Sequence, residues 1–279
     1  MSVQAHRPIR RLFTLHLPML AIVLFALGPY LWMLITSLKP ESTLFSPDRT
    51  ILPKVVTLEN YIRLFEKTTF LNNLGHSLVV AIGTMLLGLS VSITAAYAFS
   101  RFRFPGRRVL MLQFLLVNMF PIVLLIIPLF IIMKSLGLLD THLGLILAHS
   151  TFSIPFATWM MISYFDAIPR SLDEAAMVDG CTPIGAMVRV VLPLTVPGII
   201  ATGIYIFITS WNEYLYALTL GGRNVRTVTV AIQTLIGEYQ IEWGLLAAGG
   251  VVGALPVTLL FLIVQRRLVG GLTQGAVKG

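Results

Sequence analysis

The residues able to do chemistry in this chain fall in three places. The first is the polar segment Asp173-Glu174-Ala175-Ala176-Met177-Val178-Asp179-Gly180, set between two long runs without charge and followed by Leu192-Pro193. A loop of that length in a membrane-like sequence must lie in water, and a short helix there offers a docking surface to a soluble partner. The second is Asn212, Tyr216 and Thr219, spaced i, i+4 and i+7, with Glu213 beside them. That spacing predicts one shared helical face. Polar side chains inside a membrane are costly, so they face a partner or a water-filled cavity. Amides and hydroxyls that bond sugar hydroxyls, and rings that stack on pyranose faces, make these four a candidate substrate path. Interhelical hydrogen bonds or an interfacial aromatic belt would use the same residue types.

The third place is His149, Ser150, Thr151 and Ser153, just before Pro155. Nucleophilic catalysis needs a base within reach of a hydroxyl, and neighbours on a helix point about 100° apart. No Gly-x-Ser-x-Gly context surrounds them, so the cluster reads as side chains that satisfy backbone groups freed by Pro155. His76 and His142 have no ligand-like spacing, and no metal site and no catalytic residue is expected. A phosphate-cradling loop needs Gly-x-x-x-x-Gly-Lys, and no lysine directly follows a glycine. Nucleotide hydrolysis, if the protein depends on it, must come from another chain.

Composition says which elements position these residues. Of 279 residues 56% are hydrophobic and 11% charged, against about 25% charged in a typical soluble domain. Spanning the hydrocarbon takes about 20 apolar residues. Six uncharged runs qualify: 12–38, 68–100, 109–133, 141–165, 190–212 and 243–265. The run 227–237 is too short. The first run exceeds the roughly 7–15 residues of a signal sequence core, and is expected to be a retained span. Pro121, Pro128, Pro155 and Pro256 mark kinks or pivots within spans. Ala247, Ala248, Gly249, Gly250 and Gly253 give the last span a small-residue packing face.

Basic residues set the topology. Arg7, Arg10 and Arg11 precede the first span; Arg101, Arg103, Arg107 and Arg108 follow the second; Arg266 and Arg267 follow the sixth. With six alternating helices these fall on the side of the 166–189 loop, which the positive-inside rule makes the cytoplasm. Both termini are therefore expected inside. The net charge of +8 fits this asymmetry and contact with anionic lipid. Charge spread over short loops argues against a nucleic-acid partner.

Within the cytoplasmic loop, Ser171 is the expected helix N-cap, Asp173 and Glu174 complement the helix dipole, and Gly180 ends the helix. Ala175, Ala176 and Met177 are expected to be exposed. A turn through Cys181-Thr182-Pro183 leads to a second helical stretch ending near Pro193. The single cysteine, Cys181, rules out an internal disulfide.

Glu174-Ala175-Ala176, Gly180, Val190 and Leu192-Pro193 together resemble the EAA signature of permease subunits of binding-protein-dependent ABC importers; Val190 stands where isoleucine is common. Arg101-Phe102-Arg103-Phe104-Pro105-Gly106-Arg107 and Trp211-Asn212-Glu213-Tyr214 are similar to segments of the carbohydrate-importer branch. Residues 271–279 resemble the tail of its maltose-type subunit. The resemblance implies an all-α membrane protein of type I importer architecture, in a bacterial or archaeal inner membrane. It implies a coupling helix in which Glu174, Ala175, Ala176, Met177, Asp179 and Gly180 dock on an ATPase, and a tail in which Thr273, Gln274 and Gly275 touch it. The implied partners are a homologous second permease, two ATP-binding subunits that hold ATP and Mg, and an extracytoplasmic sugar-binding protein contacted by residues 221–242. The chain itself would hold no cofactor. The cargo would be a carbohydrate such as maltose or trehalose, or a glycerol-phosphate-type solute, with most substrate contacts made by the other permease. An intramembrane enzyme or a channel would instead be indifferent to Glu174.

The expected organisation is a cytoplasmic arm 1–11, a first span 12–38, an extracytoplasmic segment 39–76, a core 77–266 with five spans and the coupling loop 167–195, and a cytoplasmic tail 267–279.

Overall fold

The computed structural model describes residues 11–46, 50–237 and 241–275; the side chains of residues 12 and 266–275 lie outside that description. The arm residues Arg7 and Arg10 also lie outside it. The main helices, in chain order, are α1 (Leu17–Ser37), α2 (Glu59–Glu66), α3 (Phe70–Arg101), α4 (Arg107–Met119), α5 (Ile126–Ser135) and α6 (His142–Asp166). There follow α7 (Arg170–Val178), α8 (Pro183–Leu194, with an internal π turn), α9 (Val196–Trp211), α10 (Leu215–Leu220), α11 (Val228–Thr234) and α12 (Trp243–Gly275). Apart from an isolated bridge between Ile236 and Ile241, the described residues form no β-structure.

Four spans are continuous helices: Phe13–Ser37, Phe70–Arg101, His142–Asp166 and Trp243–Gln265. They match the first, second, fourth and sixth uncharged runs. The other two runs are broken. Arg107–Met119 and Ile122–Ser135 meet at 103°, because Pro121 adopts extended backbone and cannot donate into the α4 ladder. Pro128 sits in the first turn of α5, where a missing N–H costs little. The fifth run, 190–212, is divided: its first residues end α8, which meets α9 at 83°. Sixteen residues remain for α9, which rise about 24 Å.

The chain forms two compact units, residues 1–70 with 232–254 and residues 71–231 with 255–279. In the first unit, Asn60 of α2 donates to the carbonyls of Ser37 and Lys39 at 2.9 Å, and Tyr61 shares a 2.7 Å hydrogen bond with Ser37. Arg63 forms a forked 2.7 Å pair with Glu242. The Glu41 carboxylate accepts from the amides of Trp243 and Gly244. The small-residue face of α12 works as expected, since Gly250 lets the Met33 sulfur of α1 approach closely.

The second unit has two apolar clusters. One gathers Val80, Met133, Leu145, Phe152, Tyr216 and Leu220; the other gathers Tyr97, Phe99, Met161, Phe165, Met187 and Val191. The second includes Met187 and Val191 of α8 and packs them against residues of α3 and α6.

Candidate functional site

The segment 167–195 is built on α3 and α6. α7 starts at Arg170 with Pro169 in the capping position. Ser171 is therefore inside the helix and not its N-cap, because Pro169 fixes a backbone already suited to helix entry. α7 ends in a Schellman motif: Gly180 has φ of +87°, its amide donates to the Met177 carbonyl, and the Cys181 amide donates to the Ala176 carbonyl. Glycine is needed there because that backbone is left-handed. Thr182 then caps α8 by accepting from the Gly185 amide at 3.1 Å, with Pro183 at the first helical position.

The two faces of α7 differ sharply. Glu174, Ala175, Met177, Val178, Asp179 and Gly180 are exposed, and Val178 keeps 87% of its surface. Ala176 is 6% exposed, so the expected exposure of all three helix-forming residues is corrected: one alanine packs inward. Asp173 also points inward. Its carboxylate lies 3.0 Å from Arg101 Nε, with both side chains 7% exposed, and accepts from Tyr97 Oη at 2.8 Å. Arg101 also donates to the Ile168 carbonyl, and Arg170 donates to the Ser100 carbonyl. The last turn of α3 thus grips α7 from beneath and leaves the Glu174 edge free. Tyr97 and Arg101 do not stand out in the sequence as members of this site, since 72 or more residues separate them from Asp173.

The second candidate set is rearranged. α9 stops at Trp211 and α10 starts at Leu215, so Asn212, Tyr216 and Thr219 do not share a continuous face. Asn212 is exposed, whereas Tyr216 is buried and stacks on Phe152 with ring centroids 5.4 Å apart. The Thr219 hydroxyl donates to the Leu215 carbonyl at 2.8 Å. Glu213 accepts from the amides of Tyr216 and Ala217 at 2.9 and 3.0 Å, capping α10. The local signal was the polar Asn-Glu pair, which competes with the helix by bonding backbone.

His149 is not a bland member of its cluster. Its Nδ1 is 2.7 Å from Ser210 Oγ and its Nε2 is 3.2 Å from Glu213 Oε2, at ion-pair distance but off the angle of a hydrogen bond. Ser153 and Thr151 donate to the carbonyls of His149 and Leu147 one turn back, and not to the Thr151 carbonyl whose helical donor Pro155 removes. His76 and His142 meet at 2.8 Å. Beyond the α10 end, Asp140 has φ of +57° and accepts from the amides of Asn224 and Val225, which closes the turn that carries Arg223. In the tail, α12 runs on to Gly275; the side chains of Thr273, Gln274 and Gly275 lie outside the described residues.

Residues 88–274 match the family described as binding-protein-dependent transport system inner membrane component. The chain is 41% identical over 254 residues to the sulfoquinovosyl glycerol transport system permease protein SmoH of Agrobacterium fabrum, covering 91% of this chain and 89% of that protein. It is 41% identical over 261 residues to the trehalose transport system permease protein SugB of Mycobacterium tuberculosis, covering 92% and 94%. Among solved structures, a chain of a bacterial ABC transporter involved in the import of the acidic polysaccharide alginate superposes with a TM-score of 0.79. That match has 23% identity and covers 95% of this chain and 98% of that one. The exposed, glycine-terminated helix between the fourth and fifth spans thus sits within the matched region, and the chain belongs to the family of inner membrane components of binding-protein-dependent transport systems.

Proposed function

We propose that this chain is one of two homologous permease subunits of an ATP-driven carbohydrate importer. In this reading it holds no catalytic residue and no cofactor. Two partner ATPase subunits bind ATP and Mg, and an extracytoplasmic binding protein delivers the solute. α7 docks on an ATPase through Glu174, Ala175, Met177, Asp179 and Gly180, while Ala176 and Asp173 fasten the helix to its own chain. Both termini lie in the cytoplasm, and Thr273, Gln274 and Gly275 approach the ATPase pair. The observation that carries the reading is the two-faced α7, clamped below by Arg101 and Tyr97 and open along its Glu174 edge. The carbohydrate assignment rests on the two 41% identical relatives, both named for glycoside transport.

The mechanism follows from that clamp. A push on the exposed edge cannot be absorbed by the helix alone, because its buried ion pair joins it to α3. The docked ATPases therefore move the cytoplasmic ends of spans, which opens the path alternately to either side. That is a coupling free energy between two separate sites. Affinity purification of the tagged chain from detergent-solubilised membranes tests the reading. Wild type should bring down an ATPase and a second permease, and Glu174→Lys and Gly180→Pro should lose the ATPase. Proline cannot adopt the positive φ of residue 180. Equal ATPase recovery in all three would refute the docking assignment.

A further inference from the structure

We propose that His149 is a positioning residue for transport: its imidazole pins α9 to α10 across the short break between them and so carries movement from α7 and α8 to the far end of α9. The proposal rests on the permease reading above. Only three residues, Asn212 to Tyr214, join α9 to α10. A break of that length has no ladder of its own with which to transmit tilt or rotation. His149, which stands on α6, reaches across it. One ring nitrogen meets Ser210 in the last turn of α9, at 2.7 Å, and the other meets Glu213 ahead of α10, at 3.2 Å.

Both residues that meet the ring have further partners. Ser210 Oγ donates on to Thr84 of α3 at 3.3 Å. The Glu213 carboxylate holds the first amides of α10, and its carbonyl accepts from Thr229 of α11 at 2.8 Å. A buried imidazole on α6, whose side chain is 1% exposed, is thus linked directly to the end of α9 and the start of α10, and through Ser210 and Glu213 to α3 and α11. Apolar side chains would pack these helices without any desolvation cost. An ionisable pair kept at membrane depth marks a function by default, and a directed contact fixes an angle that apolar packing leaves soft.

Its placement says what is fixed. α6 runs into the coupling segment and α9 leaves it, so the two helices flank α7 and α8. They pack closely near that end, where Gly198 admits the ring of Tyr164. At 1.5 Å per residue, His149 is about 25 Å along α6 from Asp166, and Ser210 about 21 Å along α9 from Val196. Two helices joined at both ends move as one body, and the Glu213 contact makes α10 part of it. Without the pin, motion at the coupling end is lost in the Asn212–Tyr214 break.

The test uses the whole importer reconstituted in proteoliposomes, with Ser210→Ala and Ser210→Thr. It reads unstimulated ATP hydrolysis, hydrolysis stimulated by solute-loaded binding protein, and uptake. Ser210→Ala removes one oxygen and should leave assembly and unstimulated hydrolysis unchanged. Stimulation should fall at least fivefold, and maximal uptake should fall with it at unchanged KM. Ser210→Thr keeps the hydroxyl and should restore both. Full stimulation in Ser210→Ala would overturn the proposal. So would loss of assembly in that variant, since the network would then be a plain structural brace. A wild-type complex that holds no ATPase, or holds it equally with Glu174→Lys, refutes the importer reading and is recognised before Ser210 is changed.

Discussion

At the scale of single residues, the docking surface proposed on α7 depends on a pair turned away from its exposed edge. Asp173 lies within the signature segment, yet its carboxylate is turned from solvent and bound by Arg101 and Tyr97. The sequence makes Asp173 legible as a first-turn acid that favours the helix dipole. It does not make Arg101 legible as its partner, because that contact depends on how the last turn of α3 meets α7. Arg101 reads instead as one basic residue among four that fix topology, and it performs both tasks. Breaking a buried ion pair by removing one partner leaves an uncompensated charge, at a cost of about 3–5 kcal/mol. Asp173→Leu should therefore lower the thermal unfolding temperature markedly in detergent. Arg101→Met combined with Asp173→Leu should recover more than half of that loss, since no orphaned charge remains. Recovery of stability without recovery of ATPase binding would separate the role of the pair in orientation from its role in folding. Equal instability of single and double variants would show that the pair is not what holds α7.

At the scale of elements, the continuous spans were readable and the broken ones only partly so. A charge-free run longer than the hydrocarbon is thick has one stable solution, a helix with all backbone bonds internal. Runs 12–38, 68–100, 141–165 and 243–265 obey that logic. The bends do not follow from apolarity. Pro121 signalled the first, whereas Thr195 closes the second through the local carbonyls of Val191 and Leu192, and the Asn212-Glu213 break meets distant partners in His149 and Thr229. Expecting one face from Asn212 to Thr219 failed for that reason. The turn after α10 is a further long-range element. Asp140, in the loop before α6, accepts from the Asn224 amide at 3.0–3.1 Å and the Val225 amide at 2.8 Å. Burial pushes its carboxyl up, and the amides of Asn224, Val225 and Arg223 outweigh that and hold it below the usual carboxylate range. A carboxyl lowered in the folded state stabilises the turn above its unfolded pKa, about 4, and that contribution disappears as pH falls through the lower folded value. Amide hydrogen exchange at Asn224 and Val225 should thus stay protected at pH 5 and speed up only well below 4. Asp140→Asn should exchange fast throughout. Protection in Asp140→Asn equal to wild type would assign the turn's order to Gly222 and its neighbours instead.

At the scale of the whole molecule, orientation decides whether these parts form one machine. The positive-inside rule, the exposed edge of α7 and the family each favour the same sidedness, but only the first is a physical argument about orientation. Arg101 and Arg107 also bond carbonyls of their own chain, so their positions are not set by the membrane potential alone. The sole cysteine provides an independent reporter. Cys181 is free and partly exposed, and it follows Gly180 at the end of the docking helix. A charged, membrane-impermeant thiol reagent should label it in inside-out vesicles and spare it in right-side-out vesicles or intact cells. If α7 docks through Gly180 as proposed, a bound ATPase should slow labelling several-fold, and stripping the ATPase should restore the rate. Glu174→Lys should label at the stripped rate even when the ATPase is present. Labelling from outside would invert the topology and place α7 where no ATPase can reach it, which removes the coupling assignment whatever the family resemblance. Labelling from inside without protection would keep the topology and move the docking surface away from Gly180. Inside labelling that the ATPase blocks would join topology, docking and the left-handed turn at residue 180 in one observation.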